Sequence, residues 1–251
     1  MVLINIPIII FRSIWKIYFL LSFIISLILF YPFFYLAFWN GKDITNGFKL
    51  TKMWAHWLFF SAGIWASVKR EIPDNKHPMP CIYCSNHTSY LDIIYNYIII
   101  PNVFVALAKQ QLEKIPLFKI LIKKINISVD RKSTVSSHKA FVKAGHYLDQ
   151  GISVFLFPEG SISKKAPQMQ SSKNGAFKLA IEKQIPIVPI TFINNWALLQ
   201  NGSFLKGLGR PGIARAVIHK PIETAGMNME DIPFLKGLVM TTIESELQKY
   251  N

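Results

Sequence analysis

The feature that most constrains this chain is a long apolar segment near its N-terminus that carries no charge. No Lys, Arg, Asp or Glu occurs between Lys16 and Lys42. The run Ile17 to Trp39 is long enough for a helix that crosses the roughly 30 Å hydrocarbon core of a bilayer. Pro32 would either kink such a helix or turn it back. With a second apolar stretch at Met53 to Val68, the sequence predicts a helical membrane anchor, either spanning or bent into the membrane plane.

The composition also suits a protein that works at a membrane surface. Hydrophobic residues make up 51% of the 251 residues, yet the formal net charge is +14. The N-terminus lacks the basic start and Ala-x-Ala pattern of a cleaved secretory signal, so we expect the apolar segment to be retained. Cations on both sides of it lead us to expect the following domain in the cytoplasm. The flanking charges are Arg12, Lys16, Lys42, Lys49 and Lys52, partly offset by Asp43.

The alternation of apolar runs and helical patterns predicts an α/β domain with a mixed sheet covered by helices. We divide the chain into an anchor region (1–71), a polar linker containing proline (72–78) and a single domain (79–251). Strands are predicted near 79–85, 103–108, 125–130, 152–157, 186–192 and 213–219, and helices near 89–100, 134–150, 174–183 and 231–249.

A histidine and an aspartate stand at the junction between a predicted strand and a predicted helix. Asn86 and His87 directly follow the apolar run Met79 to Ser85, and Asp92 comes five residues after His87. Residues five apart in an unbroken helix point about 140° from each other, so the two side chains meet only if His87 precedes the first helical turn. The predicted helix start at residue 89 satisfies that condition.

Such a pair suits proton transfer. A neutral imidazole oriented by a carboxylate is a common base for taking a proton from a hydroxyl near pH 7. Ser89-x-x-Asp92 also matches a capping box, in which the carboxylate serves the start of the helix. Both roles can hold together. His87 and Asp92 are therefore our candidate catalytic residues.

A Phe-Pro-Glu-Gly sequence, Phe157 to Gly160, follows another apolar run. It is predicted at the carboxyl end of a strand, where open α/β sheets bind ligands. Pro158 stiffens the chain and Gly160 permits backbone conformations barred to other residues, leaving Glu159 as a polar contact. The alternative interpretation is an ordinary turn with a solvated Glu159.

With these residues the chain resembles the glycerolipid acyltransferase family, whose best known members are the 1-acylglycerol-3-phosphate acyltransferases. The resemblance covers about residues 80 to 220 and implies a single acyltransferase domain. In that family the His of Asn-His-x-x-x-x-Asp activates an acceptor hydroxyl to attack an acyl thioester directly. The matching segments are Asn86 to Asp92, Ala108 to Phe118, Val129 to Arg131, Phe157 to Ser161, Asn174 to Ala180 and Pro186 to Ile190. The second match is partial, because Gln111 and Lys119 stand where Glu and Gly are common in the family.

The resemblance assigns residues to substrate binding as well. It implies that Arg131 holds the phosphate of the acceptor, although a solvated charge at a strand end is the alternative. It places Glu159 in acceptor binding, and we expect Asn86, Gly160 and Ser161 to line the same site. Backbone amides around Gly160 could stabilise the oxyanion.

The chain departs from the family directly after this motif. The usual continuation is Thr-Arg-Ser, whereas this sequence has Ser161, Ile162 and Ser163. Isoleucine cannot replace the bidentate, charge-assisted contact of a guanidinium with phosphate. Either Lys164, Lys165 or Lys173 replaces that arginine, or the acceptor carries no phosphate monoester. We include Lys164 and Lys173 among the expected substrate-binding residues.

The expected activity is transfer of a fatty acyl group to 1-acylglycerol-3-phosphate, which makes phosphatidic acid. The co-substrate is a thioester of acyl-carrier protein or coenzyme A, and we expect no cofactor. The nearest alternative is the same chemistry on a phosphate-free lysolipid such as a lyso-aminolipid. The sequence is also compatible with a non-catalytic membrane lipid-binding protein or with a thioesterase.

A basic stretch adds to the expected partners. Between Asn102 and Lys139 eight Lys and Arg side chains stand against Glu113 and Asp130. Such a patch suits anionic lipid headgroups, an acidic acyl carrier or the phosphates of coenzyme A, unless it is only a solvated basic face. No nucleic-acid-binding motif is present, so nucleic acid is not an expected partner.

Two cysteines form a C-x-x-C pattern close to the histidine. Cys81 and Cys84 precede His87, but a structural zinc site would need a fourth ligand and no second Cys pair exists. We therefore expect two buried strand cysteines and no metal site.

Overall fold

The computed structural model describes residues 6–38, 44–202 and 207–250. Trp39, Lys42 and Asp43, which belong to the predicted anchor and its flanking charges, lie outside these ranges. In chain order the elements are α1 (Ile6–Ala37), α2 (Ile44–Ser61), β1 (Ile64–Arg70), β2 (Ile82–Ser85), α3 (Leu91–Ile99), β3 (Phe104–Lys109), α4 (Phe118–Ile125), β4 (Asn126–Val129), α5 (Thr134–Asp149), β5 (Ser153–Leu156), α6 (Gly175–Lys183), β6 (Ile187–Phe192), α7 (Asn195–Leu198), β7 (Gly212–Ile218) and α8 (Ile232–Gln248).

A seven-stranded mixed sheet forms the centre of the fold, in the order β1-β7-β6-β2-β5-β3-β4. Five neighbouring strands from β6 to β4 are parallel, β7 is antiparallel to β6, and β1 is parallel to β7. Two buried apolar clusters, one on each face of the sheet, join it to the covering helices. The predicted α/β class with a mixed, helix-covered sheet is confirmed. The loops after β2, β5 and β6 meet at one edge of the sheet.

All the predicted strands and helices are present, with ends displaced by at most three residues. One strand was not predicted. The apolar stretch Met53 to Val68 divides into the end of α2 and the start of β1, with Gly63 at φ +66° between them. β1 then pairs along its whole length with β7, so the sheet begins before residue 72. Its partner lies far along the chain, and no local pattern could indicate that pairing.

α1 and α2 form an antiparallel helical pair. Trp15 Nε1 donates to Ala62 O at 3.1 Å near one end of the pair, and Trp54 Nε1 donates to Ser26 Oγ at 2.9 Å near its middle. α1 continues through Pro32 and does not turn back there. Within the described ranges it is the one helix long and apolar enough to cross a membrane, judged by length and composition.

Candidate active site

His87 lies two residues beyond β2, at the carboxyl end of the parallel strands. Between them Asn86 is fully buried, and its amide is paired on both sides. Its Nδ2 donates to Phe192 O at 2.9 Å, and its Oδ1 accepts from Phe192 N at 2.8 Å. Asn86 thus joins the end of β2 to the end of β6. The buried side chain thus positions the turn of His87, and the expected contact of Asn86 with substrate stays a prediction.

His87 and Asp92 form the predicted pair. His87 Nδ1 lies 3.0 Å from Asp92 Oδ2, and the Asp92 side chain is fully buried. The same oxygen accepts from Thr88 N at 2.6 Å and from Ser89 N at 2.8 Å. An oxygen surrounded by donors requires Nδ1 to carry the proton, which leaves a lone pair on Nε2. Among the described residues, Nε2 has no hydrogen-bond partner, so it is free to act as a base.

Asp92 serves the start of α3 at the same time. Ser89 Oγ accepts from Leu91 N at 3.1 Å, while Asp92 Oδ2 accepts from Ser89 N at 2.8 Å. This exchange resembles a capping box, although no side chain bonds at the formal cap residue, Tyr90. The two interpretations of Asp92 therefore describe one arrangement, in which the bonds that begin the helix also hold the carboxylate against His87.

The Phe-Pro-Glu-Gly segment supports His87 from the neighbouring strand. The ring of Phe157 stacks on the imidazole, with centroids 3.7 Å apart and an angle of 12° between the planes. Glu159 Oε1 accepts from His87 N at 2.8 Å, and its Oε2 accepts from Gln170 N at 2.9 Å. Burial raises the pKa of Glu159 to about 7, although the two amide donors oppose that shift. Glu159 therefore holds the turn of His87 through hydrogen bonds, and its contact with the acceptor stays a prediction.

Two cations meet at Gly160. Its φ of +75° lies in the left-handed region, and its carbonyl accepts a hydrogen bond from Arg131 Nη1. The Lys173 side chain passes the same residue, with Cε 3.4 Å from the position that a Cβ on Gly160 would occupy. Burial lowers the pKa of the Arg131 guanidinium, which remains charged near neutral pH.

Arg131 and Lys173 line a cavity of about 200 Å³. Phe157, which stacks on His87, lines it too, so the cavity adjoins the histidine turn. Its other walls are mostly apolar, and they come from Leu107, Val129, Phe141, Leu156 and Ala176. The structure thus places one family cation, Arg131, beside one of the lysines expected to replace the missing arginine.

The remaining predicted residues lie further out. Ser161 is exposed and accepts a hydrogen bond from Gln170 Nε2 at 2.9 Å. Lys164 and Lys165 are exposed and do not line the cavity, while Ile162 is half-buried. Ser163 N donates to His87 O at 2.8 Å, which binds this loop to the histidine turn.

Two residues at this site were not predicted. Asn195 Nδ2 donates to Asp92 Oδ1 at 2.7 Å, and Gln170 supplies the second amide donor to Glu159. Gln170 has no distinguishing sequence pattern. Asn195 follows a predicted strand at its carboxyl end, and a polar residue there was the available signal.

Cys81 and Cys84 are free and fully buried, which confirms the predicted burial; Cys84 lies in β2, whereas Cys81 directly precedes it. Burial raises the pKa of the Cys81 thiol to about 11. Both thiols remain protonated near neutral pH and serve as core residues. No group of three or more metal-ligating side chains occurs in the described part of the chain.

Comparison with known proteins agrees with this geometry. Residues 67–193 match the family model described as Acyltransferase. The 1-acyl-sn-glycerol-3-phosphate acyltransferase BAT2, chloroplastic, of Brassica napus is 31% identical over 65% of this chain and 49% of its own length. The 1-acyl-sn-glycerol-3-phosphate acyltransferase alpha of Mus musculus is 26% identical over 83% of this chain and 73% of its own. The chain spans about half the length of the plant relatives it matches.

The fold has a close counterpart among solved structures. The crystal structure of the 1-acyl-sn-glycerophosphate (LPA) acyltransferase PlsC from Thermotoga maritima superposes with a TM-score of 0.76. The superposition covers 94% of this chain and 96% of that one at 20% sequence identity, which establishes the shared fold. Since the family model spans more than half of the residues, the chain belongs to the acyltransferase family.

Proposed function

We propose that this protein transfers a fatty acyl group from an acyl thioester to the free hydroxyl of 1-acylglycerol-3-phosphate, with His87 as the general base. The observation that carries the proposal is the His87 imidazole, held at Nδ1 by buried Asp92 and free at Nε2, beside a cavity lined by two cations. The curated relatives are named for the same reaction.

The chemistry follows from that geometry. Nε2 takes the proton of the acceptor hydroxyl as the oxygen attacks the thioester carbonyl, and Asp92 stabilises the imidazolium that forms. The new C–O bond forms and the C–S bond breaks. The departing thiolate then takes the proton from the His87 imidazolium and leaves as a thiol. Thiolate is a competent leaving group, so a base, an oxyanion donor and alignment of the two substrates account for the reaction.

The cavity favours an acceptor that carries phosphate. Arg131 and Lys173 converge on Gly160 from different elements, and together they supply positive charge near the position where the family arginine is replaced by Ile162. A guanidinium binds phosphate oxygens through directed hydrogen bonds, and an ammonium adds a mobile charge. Lys164 is exposed outside this cavity, so Lys173 is the better replacement.

We also propose that the protein binds a membrane through α1 and the cations beside it. The outward side chains of α1 form a continuous apolar surface, and Phe23 of α1 contacts Phe118 of α4 with centroids 5.9 Å apart. α4 and the turn before it carry exposed Lys114, Lys119 and Lys124. Lysines at the edge of an apolar surface suit anionic headgroups, each contributing about 1 kcal/mol. We place the catalytic domain on the cytoplasmic side, where such lipids and basic flanks are concentrated.

The test is acyl transfer by the purified protein reconstituted in vesicles. Acyl-carrier protein and coenzyme A thioesters are offered in parallel, with lysophosphatidic acid or phosphate-free lysolipids as acceptor. His87→Ala should abolish transfer, whereas His146→Ala, at an exposed histidine of α5, should not. The faster of the two thioesters identifies the donor.

Three results would each contradict a part of the proposal. Transfer only to phosphate-free lysolipids would overturn the proposed acceptor and make Ile162 a specificity residue. Acid release without acceptor would point to a thioesterase. Lipid binding with no turnover on any substrate would favour a non-catalytic lipid-binding protein.

A further inference from the structure

Asn195 contacts the candidate dyad from a distant part of the chain. It is the first residue of α7, shortly after the end of β6 at Phe192, and its side chain is fully buried. Its Nδ2 donates to Asp92 Oδ1 at 2.7 Å across 103 residues of sequence. Because it lies behind the carboxylate and has no exposed surface, it does not touch a substrate.

Asn195 binds a different oxygen of Asp92 from the donors of the histidine turn. The three donors from the histidine turn, His87 Nδ1 and the amides of Thr88 and Ser89, all bind Oδ2. Within the described ranges, Asn195 is the one donor to Oδ1. Without Asn195, Asp92 would be held through Oδ2 alone. The carboxylate could then rotate, or Oδ1 could take up a proton. With donors on both oxygens it must remain an acceptor, which fixes the Nδ1–H tautomer of His87.

Hydrogen bonds join the backbone on both sides of Asn195 to the turn that contains His87. Before it, the Asn86 amide pairs with Phe192. After it, Ser89 Oγ donates to Leu199 O at 2.6 Å, and Ser89 forms a β-bridge with Gln200. These contacts place Asn195 at a set distance from Asp92, as preorganisation of a catalytic group requires.

We propose that Asn195 is a positioning residue that fixes Asp92 and, through it, the orientation and tautomer of His87. The inference rests on the proposed function of His87 as a base. It assigns a role to α7, the short helix that follows β6, and makes the dyad depend on a residue 103 positions away from Asp92.

The test compares Asn195→Ala with Asn194→Ala. Asn194 is the neighbouring control, because it is half-buried and its side chain makes two hydrogen bonds with the backbone, to Ile213 O and from Arg215 N, each at 2.8 Å, but does not contact Asp92. Asn195→Ala should lower kcat roughly tenfold to a hundredfold, part of what a general base contributes, with KM of both substrates unchanged. Asn194→Ala should lose similar stability yet keep kcat. Equal kcat in the two variants would overturn the inference.

Asn195→Asp supplies a readout that lost packing would not produce. A protonated Asp at this position donates to Asp92, while an ionised one repels it at hydrogen-bond distance. The ratio of its kcat to that of the wild type should therefore fall as pH rises from 6 to 8. A ratio independent of pH would contradict the inference.

A spectroscopic measurement separates this inference from the proposed function. Nitrogen-15 NMR of the His87 ring in detergent reports the tautomer without any turnover. The wild type should show the proton on Nδ1, and Asn195→Ala should show a mixture of tautomers. If His87→Ala proved fully active, the proposed base would fail, while this measurement would still decide whether Asn195 sets the tautomer. Identical spectra of wild type and Asn195→Ala would overturn it.

Discussion

Glu159 Oε1 accepts a hydrogen bond from the backbone amide of His87 at 2.8 Å, although the two residues are 72 positions apart. The parallel pairing of β2 with β5 brings them together, because each residue follows its strand at the same edge. Glu159 therefore binds the backbone amide of His87, whereas Asp92 binds the His87 imidazole together with the amides of Thr88 and Ser89.

The raised pKa of Glu159 predicts a dependence of stability on pH. Its ordinary pKa is 4.5, and burial raises it to about 7 in the folded protein. Between these values the folded state binds more protons than the unfolded state, so this group's contribution to stability falls as pH rises from 5 to 8. Glu159→Gln removes that contribution. Denaturant unfolding should therefore show a larger loss from Glu159→Gln at pH 5 than at pH 8, and an equal loss at both would contradict the prediction.

Asn86 should behave as a structural residue. Asn86→Ala leaves the buried amide and carbonyl of Phe192 without a partner, which costs about 1–3 kcal/mol for each group. We expect a clear fall in the unfolding midpoint together with reduced kcat. Asn174→Ala is the control, since Asn174 is exposed and its side chain meets Lys236 at 3.2 Å. A changed KM with unchanged stability would show instead that Asn86 contacts substrate.

Lys173 should determine the preference for phosphate. Lys173→Ala should raise KM for lysophosphatidic acid about tenfold, the effect of losing one charge-assisted contact, and leave KM for phosphate-free lysolipids unchanged. Lys164→Ala, at an exposed lysine outside the cavity, should change neither. Adding Ile162→Arg to Lys173→Ala should restore the lower KM. Equal effects of Lys173→Ala on both acceptors would refute a phosphate contact.

The lysines beside α1 should govern binding to anionic vesicles. Changing Lys114, Lys119 and Lys124 to Ala together removes about 3 kcal/mol of attraction to acidic lipids, or roughly a hundredfold in partitioning. The control makes the same change of charge outside the basic stretch of residues 102–139, at Lys143, Lys178 and Lys220, which are also exposed. Vesicle sedimentation at low and high salt measures both. The loss should vanish on neutral lipids, and equal losses for the two triple variants would show a non-specific charge effect.

Much of the fold could be predicted from the sequence because periodicity acts over short distances. The apolar runs that became β2, β5 and β6 were visible, and so were their polar ends, where ligands bind in open α/β sheets. β1 was not predicted because it becomes a strand by pairing with β7 far along the chain, because most of its side chains are not buried, and because the stretch that contains it resembles the anchor that precedes it.

The sequence by itself determined which side chains stand at the ends of the strands, including the five-residue spacing that lets His87 meet Asp92. Only the tertiary structure decided what those side chains contact. Glu159 binds the His87 backbone, Asn195 holds the far side of Asp92, and Lys173 joins Arg131 at Gly160. Each of these contacts joins segments that local pattern cannot relate, because strand order, β6-β2-β5-β3 in this sheet, sets which loops become neighbours.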